Sequence, residues 1–372
     1  MRAQPSSGTA LRVLVDARPA RIGRSGVGVY ARGLLQAVAA LPDAPTLVGF
    51  AGRLRRGRPV GPAPVGTWGD RGPPRLLVGA AARLGVGLDR FRQVDLAHAL
   101  DLAPFPIRPA VPLVATIHDA FPWTHAEWFP PRLAARLAAR GDVLLRDARR
   151  LVVPTQRVAD ELIAHCRVAP DRVRVVPDGV TLPAQATWPP ADVGRPYLLA
   201  LGTIEPRKNL VRLVQAFTRS RAHREGMDLV VAGAVGWNAE ASLAAMASDE
   251  RIRFVEAPED PVRDELLAGA SGLVQASLDE GFGFPVLEAL GHGAPVLVGA
   301  GTGAQETGGE AVLAADPRSV DALAAGLDAL LEAGAAGVAG AAARRARAEA
   351  FPWATMAERT LRIWHEVVEE TT

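Results

Sequence analysis

The sequence has only one cysteine, Cys166, among its 372 residues. A disulfide framework and a cysteine-rich metal site are therefore both excluded. Because a free cysteine in a helical stretch is usually a small packed side chain, we expect Cys166 to be structural and not a catalytic thiol.

Long apolar runs are also missing. No uncharged apolar run reaches about 18 residues, the length that a membrane-spanning helix needs. Residues 1–10 are polar, and the first apolar run, Leu11–Val15, has only the length of a strand. A signal peptide needs a longer apolar core than this. We therefore expect a protein that stays in the cytoplasm.

Lysine is nearly absent, since Lys208 is the only lysine among 42 basic residues. Arginine is a planar fork and lysine a compact point charge, so the two are not interchangeable beside a phosphate. A single lysine kept in an arginine-rich chain is therefore a candidate functional residue.

The basic residues are unevenly distributed. Residues 1–182 contain 26 arginines and 14 acidic residues, whereas residues 183–372 contain 16 basic and 26 acidic residues. A basic first half favours an anionic partner. Nucleic acid is not expected, because it would normally require aromatic residues interleaved with the basic ones, and aromatic residues make up only 5% of the chain. A membrane surface or a phosphorylated acceptor is the better match, with Leu133–Arg150 and Arg53–Arg58 as docking candidates. The alternative is a solvated face in a chain that favours arginine throughout.

The chain contains two series of alternating strand and helix patterns. The first opens with the strand Leu11–Val15 and a glycine-containing loop at 17–28, and the second with the strand Tyr197–Leu201 and a loop at 202–208. A proline- and alanine-rich stretch at 181–196 separates them. Such alternation predicts an α/β protein with two Rossmann-like lobes, each built on a parallel sheet.

Ligands in parallel sheets bind beyond the carboxyl ends of the strands. The loops at 16–28, 118–123, 202–208 and 277–284 each follow a predicted strand. We therefore expect these four loops to converge on a cleft between the lobes.

The strongest chemical signal is the segment Asp279-Glu280-Gly281-Phe282-Gly283-Phe284-Pro285-Val286-Leu287-Glu288. Glycines let the backbone approach a ligand closely, and successive N–H groups at a helix start bind oxygen-rich ligands. Carboxylates accept hydrogen bonds from sugar hydroxyls. The alternative is a turn and helix start with solvated acids, which are common there.

A second signal is Leu201-Gly202-Thr203-Ile204-Glu205-Pro206-Arg207-Lys208-Asn209. Two adjacent cations lie between a strand and a helix start, as a diphosphate clamp requires. The alternative is a solvated charge pair in a loop.

With these segments in view, residues 197–217 and 271–298 resemble the retaining GT-B glycosyltransferases of family 4. That family has an EPRKN-like segment before a helix, and two glutamates separated by seven residues within an EGFG-P-LEA segment. The matching glutamates here are Glu280 and Glu288. Further similar positions are Gly291–Val296, Thr302-Gly303, Glu306 and Asp316-Pro317. The resemblance covers most of the chain and is most specific in the C-terminal half.

The resemblance implies a role for each matching position. Arg207 and Lys208 would hold the donor diphosphate, Glu288 the ribose hydroxyls, and Glu280 the hydroxyls of the transferred sugar. His118-Asp119 resembles a pair near the donor sugar and the acceptor. The other implied donor-binding positions are Gly26, Gly28, Gly202, Thr203, Gly281, Phe282 and Gly283. The implied catalytic set is His118, Glu280, Arg207 and Lys208.

Some positions depart from the family pattern. Thr203 stands where many relatives have arginine, which leaves the clamp to Arg207 and Lys208, and Thr155 and Asp178 stand where serine and asparagine are frequent. The resemblance also implies that 1–182 forms an acceptor-binding lobe and 183–352 a nucleotide-sugar lobe. The C-terminal helix 353–372 would cross back onto the first lobe, with Pro352 supplying a kink.

The implied activity is retaining transfer of a hexose from a nucleoside diphosphate sugar to a saccharide or lipid-linked acceptor, in cell-surface glycan or polysaccharide biosynthesis. Mannose from GDP-mannose is the expectation by family frequency. No cofactor or metal is expected, because the cations and helix N-termini would stabilise the leaving diphosphate. No carboxylate is assigned as nucleophile, since the leaving phosphate would take the acceptor proton.

Other readings stay open at this point. A nicotinamide-dependent oxidoreductase is disfavoured, because Gly26-Val27-Gly28 is followed by Arg32-Gly33 and misses the GxGxxG spacing. A GT-B epimerase, a phosphorylase or a non-catalytic scaffold subunit remains. The presence of both glutamates and of the cation pair argues against an inactive site.

Overall fold

The structure is a computed structural model. It describes residues 11–21, 25–50, 67–68, 94–103, 110–183, 194–335 and 337–371. The docking candidate Arg53–Arg58 and most of the 181–196 stretch lie outside these described residues.

The first half of the chain forms a parallel sheet, to which the described residues contribute seven strands. In chain order these are β1 (Arg12–Asp16), β2 (Thr46–Phe50), β3 (Thr67–Trp68), β4 (Leu96–Ala99), β5 (Leu113–Thr116), β6 (Arg150–Val153) and β7 (Val173–Val175). Their order across the sheet is β3-β2-β1-β4-β5-β6-β7. The register pairs Val13 of β1 with Leu47 on one side and Leu96 on the other. The α-helices among the described residues of this half are α1 (Arg18–Arg21), α2 (Gly26–Ala39), α3 (Phe121–Thr124), α4 (Pro131–Asp147) and α5 (Gln156–Cys166).

The second half forms another parallel sheet, with six strands among the described residues. They are β8 (Tyr197–Leu201), β9 (Asp228–Gly233), β10 (Ile252–Glu256), β11 (Gly272–Gln275), β12 (Val296–Gly299) and β13 (Leu313–Ala315), in the spatial order β10-β9-β8-β11-β12-β13. The helices are α6 (Leu210–Arg219), α7 (Arg221–Arg224), α8 (Glu240–Met246), α9 (Asp260–Gly269), α10 (Phe284–Gly291), α11 (Gly303–Gly308), α12 (Val320–Gly334), α13 (Gly337–Glu349) and α14 (Trp353–Glu369).

The strands are apolar because helices cover both faces of each sheet. In β1, Leu14 faces one hydrophobic cluster and Val13 and Val15 face another. In β8, Leu198 and Leu199 likewise point to opposite clusters. Parallel strands buried on both faces have near-continuous apolar sequences, which is the pattern from which these strands were predicted. The predicted α/β class and the GT-B architecture are confirmed.

Helix α14 packs against α2 and β4 of the first sheet. The indole nitrogen Nε1 of Trp364 donates to Nδ1 of buried His98 at 3.2 Å, and Glu366 accepts from Arg150 at 2.8 Å. Pro352 caps the start of α14 after α13 has already ended, so it separates two helices and does not kink a continuous one. The last helix thus ties the end of the chain to the first sheet, while the predicted lobe boundary at 182 stays a prediction.

Among the described residues no single helix is long and apolar enough to cross a bilayer. The segments 320–334 and 337–369 form a bent pair that reaches the length and apolar composition of a membrane span only when the two segments are taken together.

Candidate active site

The loops after β5 and β11 meet at the centre of the molecule. A Cβ at Gly281 would lie 2.0 Å from the carbonyl oxygen of His118, closer than any real contact. Thr155 closes the same junction, since its hydroxyl donates to the carbonyl of Gly281 at 2.8 Å. The two sheets therefore face each other across a joint that only glycine permits at position 281, as the convergence of strand ends predicts.

Glu280 is the centre of a charged cluster at this joint. One oxygen, Oε1, lies 2.6 Å from Nζ of Lys208 and 2.6 Å from the hydroxyl of Ser277. The other oxygen, Oε2, lies 2.6 Å from Nη1 of Arg207. Arg207 also bonds Glu205 at 2.7 Å and the carbonyl of Asp279 at 2.9 Å. The two cations expected to hold a diphosphate are thus fixed beside the carboxylate expected to hold a sugar.

Burial and charge oppose each other within this cluster. Burial raises the pKa of Glu280, but Arg207 and Lys208 outweigh it and hold that pKa well below its usual range. Burial lowers the pKa of Lys208, although contact with Glu280 opposes the shift. Glu280 is therefore ionised, and the cluster is a compact set of paired charges that a second anion could share.

His118 and Asp119 face this cluster from the first sheet. Nε2 of His118 donates to the carbonyl of Leu100 at 3.0 Å. A carbonyl only accepts, so Nδ1 of the neutral ring is left as an acceptor. Burial lowers the pKa of His118 and keeps the ring neutral. Burial raises the pKa of Asp119 to about 6, although Arg207 acts in the opposite direction.

The glycine loop of the first sheet forms a helix start. Gly26 is the first residue of α2, whose cap is Ser25 with its hydroxyl accepting from the N–H of Gly28 at 3.3 Å. A Cβ at Gly26 would lie 3.4 Å from the ring of Phe284, the first residue of α10. Two helix N-termini therefore meet at the joint, and the positive ends of helices favour anions.

Gly202 and Thr203 follow β8 and lie beside Lys208. Gly202 has φ +145°, and a Cβ there would lie 2.9 Å from Cε of Lys208. Glycine at this position thus both permits the backbone turn and leaves room for the lysine side chain. Thr203 is half-buried, with its methyl group facing Gly236.

The segment Gly281–Gly283 presents backbone and not side chains. Phe282 is buried and its ring packs against Phe284 and Phe351, while Gly283 takes φ +94°. In the described part of the chain no hydrogen bond involves the N–H groups of these three residues. Successive N–H groups at a helix start can bind an oxygen-rich ligand.

Glu288 lies on α10, away from Glu280, and is paired with Arg263 of α9. Sequence reasoning did not find Arg263, because an arginine in an amphipathic helix carries no pattern of its own. It also missed two contacts to Arg207 and His118. Phe121 lies under the Arg207 guanidinium at 5.1 Å, and the Tyr30 ring meets His118 edge-on at 4.6 Å.

Further contacts between the halves flank the joint. Arg157 at the start of α5 bonds Asp279 through Nε at 2.9 Å. The carboxylate of Glu306 accepts from the N–H groups of Gln156 and Arg157 at 2.6 and 2.9 Å. Glu306 resembled a family position, but nothing in the sequence indicated that Arg157 would bridge the halves.

Among the described residues no group of three or more His, Cys, Asp or Glu side chains could hold a metal ion. The expectation of metal-independent chemistry stays a prediction. The site offers paired cations, helix N-termini, acceptors for hydroxyl groups and a neutral imidazole. Such a set can bind a diphosphate and a sugar side by side and stabilise charge on a leaving phosphate. A GT-B fold with this site matches what a glycosyltransferase requires.

Comparisons with known proteins agree. The family model "Glycosyl transferases group 1" matches residues 188–348 and the model "Glycosyltransferase Family 4" matches residues 24–182. The two matches together span most of the chain. The chain belongs to the group 1, family 4 glycosyltransferases and is an enzyme.

The following three proteins are similar to this chain in sequence or in fold. An O-antigen chain mannosyltransferase B from Escherichia coli is 37% identical over 138 residues, 35% of each chain. A glycogen synthase from Mycobacterium tuberculosis is 28% identical over 306 residues, 77% of this chain and 73% of that protein. The crystal structure of Anabaena HepE in complex with UDP and glucose superposes with a TM-score of 0.68 at 16% identity, covering 96% of this chain and all of the other.

Proposed function

We propose that this enzyme transfers a hexose from a nucleoside diphosphate sugar to a saccharide or lipid-linked acceptor, with retention of configuration. The observation that carries the proposal is the cluster of Arg207, Lys208 and Glu280, in which a nitrogen of each cation lies 2.6 Å from an oxygen of Glu280. In this proposal the diphosphate binds the two cations and the sugar binds between Glu280 and His118.

The donor we favour is GDP-mannose, and the pathway is cell-surface polysaccharide biosynthesis. The support is the similarity to an O-antigen mannosyltransferase, which has the higher identity of the two relatives. The complex of HepE with UDP and glucose keeps a UDP-sugar as the second candidate donor.

The leaving diphosphate would be stabilised without a metal. Arg207 and Lys208 supply two charges, and the starts of α2 and α10 supply partial positive charge. In the proposed step the bond from the sugar C1 to the diphosphate oxygen breaks. The acceptor oxygen bonds to C1 on the same face and passes its proton to that diphosphate.

The acceptor side is proposed to lie against the basic first half. Arg132, Arg136 and Arg146 are exposed on α4, whose apolar residues Leu144 and Leu145 are buried inward. This face can attract an anionic surface at about 1 kcal/mol for each basic residue near the bilayer. Peripheral contact of this electrostatic kind would weaken steeply with salt.

The test is a panel of GDP-, UDP-, dTDP- and ADP-sugars, measured by thermal shift and by nucleotide release in EDTA. We expect one nucleotide to raise the melting temperature, as ligand binding to the folded state does. The anomeric configuration of the product, followed by proton NMR, tests retention. A folded sample that responds to none of these sugars would contradict the proposal and favour a scaffold subunit.

A further inference from the structure

The ion pair between Arg263 and Glu288 lies outside the catalytic cluster and needs its own explanation. Glu288 is on α10, and its side chain is 13% exposed. Arg263 is on α9, the helix that follows β10 in the chain, and its side chain is 25% exposed. Among the described residues, the cation that forms an ion pair with Glu288 is Arg263.

Neighbouring cations have other partners. Arg345 donates to the carbonyls of Gly291 and Pro183 at 3.0 and 3.1 Å. Burial lowers the pKa of His292, which follows Gly291, and the charge of Arg345 lowers it further. Asp264 lies 3.9 Å from Nη1 of Arg263, so it contacts the same guanidinium only weakly. Arg263 therefore bonds chiefly to Glu288, and contact with Glu288 helps to raise its pKa against the effect of burial.

We infer that Arg263 is a positioning residue for the donor ribose, acting through Glu288. This inference rests on the proposed function and on the role that the resemblance implies for Glu288, which is to accept from the ribose hydroxyls of the donor. Arg263 bonds Oε2 of Glu288. A carboxylate has about four acceptor positions, so Oε1 stays free for a vicinal diol.

The physical role of the pair is orientation. An unpaired glutamate on a helix surface samples several rotamers, and ordering it on binding opposes affinity. The planar guanidinium fixes the plane of the carboxylate before the ligand arrives, which a lysine does less well. Arg263 thereby prepares Glu288 to recognise a ribose and leaves the chemistry at Glu280 unchanged.

The test is calorimetric and uses two forms of one nucleotide. The probe is whichever of GDP, UDP and ADP binds the wild type most tightly, together with its 2′,3′-dideoxy analogue. We expect Arg263→Met to weaken binding of the ribose form about tenfold, the size of one charge-assisted hydrogen bond. The same variant should leave the affinity for the dideoxy form unchanged, because that form has no diol for Glu288 to bind.

Further variants separate positioning from other roles. Glu288→Gln should reproduce the effect, and adding Arg263→Met to it should weaken binding no further. Arg263→Lys should recover part of the loss. Arg219→Met is the matched control, since it breaks an exposed pair with Asp321 on α6 and α12 and should change neither affinity.

Several results would overturn the inference. Unchanged or tighter binding of the ribose form to Arg263→Met would mean that Arg263 is idle or competes with the ribose. Equal weakening of both forms would mean that Arg263 contacts the base or phosphate directly. If no nucleotide binds the wild-type protein, the proposed donor site itself is wrong, and the inference falls with it.

Discussion

Replacing Asp119 by asparagine should stabilise the protein while impairing its activity. The Asp119 carboxyl is buried at the joint between the halves, where burial raises its pKa to about 6 from 3.8. Asparagine keeps an oxygen that can accept from the N–H of Phe121, as Oδ1 of Asp119 does at 3.2 Å. The substitution therefore removes a buried charge and little else.

The size of the expected stabilisation follows from the shift in the pKa of Asp119. A difference of about 2 pKa units corresponds to about 3 kcal/mol, because each unit is worth about 1.4 kcal/mol. The Asp119 carboxyl keeps its proton to a higher pH in the folded state than in the unfolded state. Asp119 thus makes wild-type stability fall as pH rises from about 4 to about 6, and the full penalty is present above that window.

Urea unfolding of wild type and Asp119→Asn at a series of pH values checks this reasoning. We expect the variant to be more stable by up to about 3 kcal/mol at pH 7.5 and equal to wild type below about pH 4. Sugar transfer should fall, because the resemblance places Asp119 beside the sugar and the acceptor. A variant that is less stable at pH 7.5, or whose advantage does not depend on pH, would refute the argument.

Three further substitutions test other parts of the site. Lys208→Ala removes a cation that lies 2.6 Å from Glu280. Turnover should fall by about 10²–10³, while the circular dichroism spectrum stays unchanged. Near-normal nucleotide release by this variant would count against the diphosphate clamp. Gly281→Ala adds a Cβ 2.0 Å from the His118 carbonyl oxygen, and steady-state kinetics should show that turnover is lost. Gly334→Ala is the control, because the atom nearest to its added Cβ lies 3.7 Å away, and it should keep wild-type rates. Trp364→Phe removes the donor to His98; urea unfolding should show a loss of about 1–3 kcal/mol, and an unchanged midpoint would mean that the bond contributes nothing.

Much of the fold was predictable because parallel strands covered on both faces have an unmistakable apolar sequence. Tyr197–Leu201 was predicted as a strand with the bounds that the structure has. The glycine-containing loop that follows β1 was less accurate. It was predicted to extend to residue 28, but Ser25 caps α2, so Gly26 and Gly28 are already helical.

The site was predictable only where residue type and loop position coincide. Glu280, Arg207 and Lys208 follow strand ends and were expected to converge, and they lie together as one cluster. Other contacts around the site join residues that lie far apart in sequence. Arg157 bonds Asp279, Arg263 bonds Glu288, and Phe121 lies under Arg207. These three residues come from helices whose sequences carry no signal beyond amphipathicity. Their roles depend on how the halves pack, which a single sequence does not encode locally.

The resemblance implies that Arg207 and Lys208 hold a diphosphate, and the structure pairs both cations with Glu280. Arg207 and Lys208 are close neighbours, and burying two like charges without a counter-ion is unfavourable. The carboxylate of Glu280 balances them until an anion arrives. Donor binding should therefore release part of this pairing to the diphosphate.

The most direct test of the account is calorimetric titration of the preferred nucleoside diphosphate sugar, in EDTA, into wild type and Lys208→Ala. The account predicts one site on the wild type, and affinity at least tenfold lower in the variant, because a buried charge-assisted contact is lost. Equal affinity for the two proteins would contradict the claim that the cluster of Arg207, Lys208 and Glu280 is the donor site.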